Sequence, residues 1–211
     1  MQFNICSLLD HEQYHDPDGA AERLGISPES WPLFGQLWPS SFVLAKTMQT
    51  MDLHGKRILE LGAGLALASL VVHRRGGNMT VSDFHPLIPV FLEENLRLND
   101  LGPIKYQAAD WSKSNTELGQ FDLIIGSDII YDHGHPALLA NFIDLHSAEC
   151  VEVLIIDPNR RHKAKFCQEM EELEYSAQIS CANCTLDNGE AFKGSLLHFT
   201  RDDAMLPCVI A

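Results

Sequence analysis

The chain has 211 residues, with 15 basic and 29 acidic side chains and a net charge of −14. That length suits one domain whose core needs no disulfide staples, and the charge repels nucleic acid phosphates, which argues against a nucleic-acid binder. No apolar run reaches membrane-spanning length and no signal core opens the chain, so a soluble, cytoplasmic protein with its six scattered cysteines reduced is expected.

Residues Met1 to Trp31 read as an acidic, turn-rich leader broken at Asp16-Pro17-Asp18-Gly19. An N-terminal acidic extension over 1–33 and a single domain over 34–211 follow from this change in character. His11 and His15, near Asp10, Glu12 and Asp16, imitate a metal cluster. No apolar pattern nearby would hold such ligands, so a polar, flexible leader without metal is expected. Within Gly35 to Met51, Gly35-Gln36-Leu37-Trp38-Pro39-Ser40-Ser41 leads into a helix in which Val43, Leu44, Thr47, Met48 and Met51 recur at helical spacing, with Pro39 in its first turn. Trp38, just before it, either packs into the core or walls a pocket.

Arg57 to Leu70 organises the rest. Ile58, Leu59 and Leu61 make an apolar run typical of a parallel strand buried on both faces. Gly62 and Gly64 allow a sharp turn with room for a ligand, and Leu65 to His73 continue as a helix whose first amides face that space. Glu60 stands at the strand's carboxyl edge, placed to accept from a cationic amino group. A dinucleotide fingerprint needs a third glycine where this chain has Leu67. A tight turn without ligand remains an alternative.

A second strand, Met79 to Val81, stops at Ser82-Asp83. Asp83 falls twenty-one residues after Gly62, the separation at which a carboxylate receives ribose hydroxyls, and it is equally a candidate cap for the helix predicted over Pro86 to Asn99. That helix is expected to bury Val90, Leu92 and Leu96. A third strand, Ile104 to Ala108, leads to Asp110-Trp111, a carboxylate and a ring suited to an adenine. A fourth, Phe121 to Ile125, leads to Asp128 and Tyr131 at the sheet's ligand-binding edge, and a cap on the helix over Ala137 to Leu145 is the alternative role for Asp128.

Val151 to Ile156 is a fifth strand, ending at Asp157-Pro158-Asn159-Arg160 and followed by a helix through Leu173. The basic run Asn159 to Lys165 reads as the solvated start of that helix. Ala177 to Cys184 and Ser195 to Phe199 then alternate around Asp187-Asn188-Gly189, a hairpin pattern. Cys181 and Cys184 read as strand residues rather than half a zinc site. The architecture expected is α/β: a doubly wound, mostly parallel seven-stranded sheet with a C-terminal antiparallel hairpin.

Acid-x-Gly-x-Gly at Glu60, Gly62 and Gly64 resembles motif I of the Rossmann-like methyltransferases that use S-adenosyl-L-methionine, with Ala66 where a further glycine is often found. Together with Leu37-Trp38-Pro39-Ser40, Ser82-Asp83, Asp110-Trp111 and Asp128-Ile129-Ile130-Tyr131, the chain is similar over residues 34 to 200 to the lysine methyltransferases related to those acting on valosin-containing protein and electron-transfer flavoprotein. Asp157-Pro158-Asn159-Arg160 resembles the Asp-Pro-Gly-Arg of the latter branch. The resemblance implies that Glu60, Gly62 and Gly64 border the methionine and ribose of the cofactor and that Asp83 holds the ribose. It places Asp110 and Trp111 at the adenine and has Trp38 line the site. Asp128 and Tyr131 would lie where donor and acceptor meet, Asp128 orienting the amine or the cofactor's amino group.

The implied activity is methylation of a lysine in a protein partner, with S-adenosyl-L-homocysteine as product and no metal. A small-molecule N-methyltransferase taking a small amine, a non-catalytic cofactor-binding module and an NAD-dependent dehydrogenase are the alternatives.

Overall fold

The computed structural model describes residues 1–202; Cys208 and the end of the 34–211 span lie outside the described residues. Strand β1 (Arg57–Leu61) lies inside a seven-stranded sheet, third from one edge. It pairs in parallel with β2 (Asn78–Asp83) on one side and β4 (Phe121–Ser127) on the other, and β3 (Lys105–Ala108) joins β2 at one edge. Beyond β4 comes β5 (Ser147–Asp157), also parallel. The chain winds outward from β1 to β3 and then crosses back to β4, so the reversal lies between β1 and β4. The connections that leave the carboxyl ends of these two adjacent strands run in opposite directions there and leave a crevice.

Alternation along each strand assigns residues to the two layers. Ile58, Leu123, Ile125, Leu154 and Ile156 face helices α2 (Pro39–Met48) and α3 (Leu67–Arg74) through Leu44, Met48, Val71 and Val72. Leu59, Leu61, Ile124, Val153 and Ile155 face α5 (His135–His146) and α6 (Lys163–Glu172) through Leu139, Ile143, Phe166 and Met170. A strand buried on both faces needs apolar side chains on both, which is why these segments read as near-continuous apolar runs.

The sheet closes antiparallel. Strand β9 (Ser195–Asp202) inserts between β5 and β6 (Ser176–Cys181), while β7 (Cys184–Thr185) and β8 (Ala191–Phe192) form a separate small hairpin. The predicted strand over Ala177 to Cys184 is therefore two strands, and the turn at Asp187 to Gly189 closes the small hairpin rather than the β6–β9 pair. β5 starts four residues earlier than its apolar run, because Ser147 pairs with Phe121 across a register shift in β4.

Two expectations are corrected. Val90, on α4 (Ile88–Leu98), is exposed, and Asn95 is buried beside Ile88, Leu92 and Leu96 instead. The Asn95 side chain accepts the Cys6 amide at 2.7 Å, and Asn99 exchanges hydrogen bonds with the Asn4 backbone at 2.9 and 2.7 Å. The leader is thus packed instead of flexible. Leu8 donates its amide to the Gly35 carbonyl at 2.8 Å, and the turn into α1 (Ala20–Arg23) is held by Asp16, which accepts from Ala21 and Glu22. Trp31 is buried against Phe34, Tyr14 and His85.

Candidate active site

A cavity of about 790 Å³ opens at the carboxyl ends of β1, β2 and β4. Its floor is the β1–α3 turn, where Gly62, Gly64 and Ala66 all take left-handed φ values of 57°, 52° and 59°. An added Cβ at Gly62 would stand 2.6 Å from the Ile129 Cγ2, and one at Gly64 would stand 3.1 Å from the Phe34 carbonyl oxygen. These positions need glycine for conformation and for space. Ala66 adopts the same backbone with a methyl group, which delays the start of α3 to Leu67, two residues after the predicted position.

Asp83 lies on the wall and ties the turn to β2: one carboxylate oxygen accepts the Gly64 amide at 2.8 Å, the other the amides of Phe84 and His85 at 2.7 and 3.0 Å. Burial outweighs these donors and raises its pKa. It does not cap α4. Glu60 is not on the wall. Its carboxylate turns beneath the cavity and accepts the Ser69 hydroxyl and, at 2.9 Å, the Ser69 amide, joining β1 to α3.

Burial pushes the Glu60 carboxyl up to about 7, with the Ser69 bonds opposing and Asp83 adding to the rise. A carboxyl raised in the folded state binds its proton preferentially there, so its stabilising contribution is present below about 4.5 and is lost as pH climbs through 7. Glu60→Gln removes that dependence. Thermal melts should show the variant gaining on the parent by several degrees between pH 5 and pH 8, and a difference independent of pH would contradict the titration.

The remaining expected residues converge on the same cavity. Trp38 lines it and donates its indole N–H to the Leu33 carbonyl at 2.9 Å. Asp110 and Trp111 follow β3. Burial alone would raise the Asp110 pKa, but Ser112 and Lys113 hold it below its ordinary value. Asp128 follows β4 in a left-handed conformation, φ 56°, with its amide on the Ile156 carbonyl at 2.8 Å, so it too caps no helix. Tyr131 is half exposed at the mouth, edge-on to His135, which in turn meets Trp111. Loss of solvation around the phenol, then the carboxylates of Asp83, Asp132 and Asp128, raise its pKa, leaving a protonated hydroxyl.

Three features lay outside the predicted set. Arg160 reaches the cavity from the β5–α6 loop and grips Asp128 with both arms, Nε to Oδ1 at 2.8 Å and Nη2 to Oδ2 at 2.9 Å. Its place in a basic run suggested solvent instead. His85 stacks on Phe34 at 3.9 Å; its Nδ1 accepts the Leu87 amide, so the neutral ring carries its proton on Nε2, which is buried without a partner. Burial lowers its pKa to about 4. The leader also contributes wall through Gly25, Ile26, Ser27 and Ser30.

Residues 32–173, more than half of the chain, match the family model described as lysine methyltransferase. The chain belongs to the lysine methyltransferase family. It is 33% identical to the protein N-lysine methyltransferase METTL21A of Xenopus tropicalis, over 68% of this chain and 72% of that protein. It is 30% identical to the electron transfer flavoprotein beta subunit lysine methyltransferase of Rattus norvegicus, over 66% of this chain and 55% of that one. A precorrin-6y C5,15-methyltransferase structure from Geobacter metallireducens superposes with a TM-score of 0.62 at 14% identity, covering 77% of this chain and 87% of that one, a likeness of fold alone. Both the sheet expected for a Rossmann-like methyltransferase and the family suggested by the motifs are therefore met, and the departure at Asn159 acquires a reason. That residue has φ 62°, a conformation open to glycine and tolerated by asparagine.

Proposed function

We propose that this chain transfers a methyl group from S-adenosyl-L-methionine to the side-chain amine of a lysine in a protein. The observation that carries the reading is a junction. Trp38, Asp128 and Arg160 line both the deep cavity and a second groove of about 280 Å³ outside it, walled further by Pro158, Phe192 and Lys193. Two adjoining cavities that share this wall suit a side chain entering from a polypeptide better than an enclosed small amine.

The residues present fit the cofactor. The glycine cradle leaves space that a Cβ would fill, Asp83 and Asp110 offer acceptor oxygens, and the unpartnered His85 Nε2–H is a donor in the same wall. In this reading Gly62, Gly64 and Asp83 hold the methionine and ribose portions, Asp110 and Trp111 the adenine, and Trp38 the side facing the acceptor. Glu60 acts beneath the site, by fixing the turn. When bound, the cofactor supplies a methyl group on a sulfonium sulfur: the S–C bond breaks as the N–C bond forms, and the electron pair stays on sulfur, giving S-adenosyl-L-homocysteine.

The chain's own part is alignment and protonation state. Holding two reactants in line contributes about 7 kcal/mol at the low end of measured cases. Asp128 and Tyr131 stand at the junction to receive the amine, Asp128 as acceptor and Tyr131 through its hydroxyl. The attacking amine must be neutral, and its proton leaves through the mouth to water before transfer. The 34–211 span is the catalytic unit in this reading, 1–33 adds to its wall, and a cytoplasmic setting accords with the five described cysteines being unpaired.

Incubating the chain with methyl-labelled donor and cell extract, followed by mass spectrometry, tests the reading. Label on lysines of one or a few proteins is expected. Label confined to small metabolites would point to the small-amine reading, and donor binding without any labelling to a binding module.

A further inference from the structure

Lysine approaches any enzyme as an ammonium, and a carboxylate beside it strengthens that charged form. Asp128 alone would therefore oppose the deprotonation that methyl transfer requires. The structure supplies a counterweight from a different loop. Both Asp128 oxygens are gripped by Arg160, whose side chain is 43% exposed while that of Asp128 is 9% exposed. Two further features fix Arg160: its amide donates to Asp157 Oδ1 at 2.8 Å, and Asn159 before it is left-handed, with its Oδ1 accepting Lys163 Nζ at 2.6 Å and the Ser195 hydroxyl at 2.8 Å. The loop is thus built to aim the guanidinium at Asp128, and the pair lies where cavity and groove meet.

We propose that Arg160 is a positioning residue that neutralises Asp128, so that Asp128 can orient the acceptor amine without stabilising it as an ammonium. The inference rests on the lysine methylation reading above. An arginine is always charged, so it cancels the carboxylate across the working pH range and donates without taking up the amine's proton. Asp128 retains lone pairs for the amine, because each carboxylate oxygen accepts more than one hydrogen bond. Among the described residues, the other charged or titratable groups around the pair are Tyr131, Asp132 and His135 after β4, Asp83 at the end of β2, Asp157 and Lys163 on the β5–α6 side, and Lys193 after β8. Tyr131 is protonated, and burial raises the pKa of Asp157. Arg160 is the group in contact with both Asp128 oxygens.

The test compares the full chain with Arg160→Gln and Arg160→Lys, using two readouts. The first is calorimetry with S-adenosyl-L-methionine and S-adenosyl-L-homocysteine, which differ by the sulfonium charge. Arg160→Gln should shift the ratio of their affinities at least fivefold toward the sulfonium, and Arg160→Lys should leave it near the parent value. The second is single-turnover labelling of extract protein, with chain and donor in excess, from pH 6.5 to 10. Under these conditions the profile reports groups in the bound complex.

Arg160→Gln should slow labelling about tenfold at pH 7, recover near pH 10 and move the acid limb up by about one unit; Arg160→Lys should restore the parent profile. An equal loss at every pH, or an unchanged affinity ratio, would overturn the role of Arg160. If the parent chain labels no protein, the lysine reading falls, and the affinity ratio alone still decides whether Arg160 cancels the charge of Asp128.

Discussion

Asp128→Asn is expected to lower methyl transfer by at least a hundredfold while the fold remains intact. The substitution is chosen for the backbone: residue 128 has φ 56°, which asparagine tolerates and alanine resists. The amide bond to Ile156 is a main-chain contact and survives. What changes is charge. Arg160 loses the carboxylate that holds it at 2.8 and 2.9 Å, and the junction goes from near neutral to positive. Two unit charges 4 Å apart at a partly wet site interact by about 4 kcal/mol, and a third of that is already a factor of ten in affinity. The cationic donor should therefore weaken about tenfold or more, S-adenosyl-L-homocysteine much less, and the acceptor ammonium should be repelled as well. Calorimetry with both ligands and a labelling assay measure the two parts. Equal weakening of donor and product would show that Asp128 acts through shape, and retained turnover would remove it from the reaction. Opposite shifts in the donor-to-product affinity ratio for Asp128→Asn and Arg160→Gln would also separate charge from simple damage to the loop.

The central strands were legible because burial on both faces favours runs of apolar residues, as at Ile58, Leu59 and Leu61 and at Leu123 to Ile125. The strand ends were legible for a related reason. A polar residue within a few positions of the end of such a run, such as Asp83 or Asp128, leaves the core at the sheet's carboxyl edge. Contacts between distant segments were harder to read. Asn95 looks like a surface residue on a helix whose apolar positions include Val90, yet the Cys6 amide makes it the buried one. Arg160 sits in a run of charges whose composition describes solvent, and only the loop geometry after β5 turns it toward Asp128. Glu60 shows the converse: its place in the glycine motif was plain, but the Ser69 amide and hydroxyl that draw it below the cavity belong to the following helix. His85 carried a weak clue, a histidine two residues after Asp83, but its burial depends on Trp31 and Phe34 from the leader side of the fold.

Gly62→Ala is expected to cost donor binding far more than stability, and a second glycine separates the two effects. Both Gly62 and Gly76 have positive φ, 57° and 79°, so alanine at either strains the backbone by about 1–2 kcal/mol. They differ in what the new methyl group meets. At Gly76 there is nothing within 4 Å. At Gly62 the methyl would stand 2.6 Å from Ile129 Cγ2 and 3.7 Å from the Trp111 ring. Ile129 cannot swing that branch away freely, because its side chain is buried and stiff at χ1. The adjustment must pass to the backbone that carries Asp128 and Tyr131, or to the glycine turn itself. Gly62→Ala should bind S-adenosyl-L-methionine at least thirtyfold more weakly, whereas Gly76→Ala should melt a few degrees lower with donor affinity nearly unchanged. Calorimetry and thermal melts on both variants supply the comparison. Comparable donor affinity in the two would mean that the turn at Gly62 is conserved in shape by backbone conformation alone, with the ligand held elsewhere in the cavity.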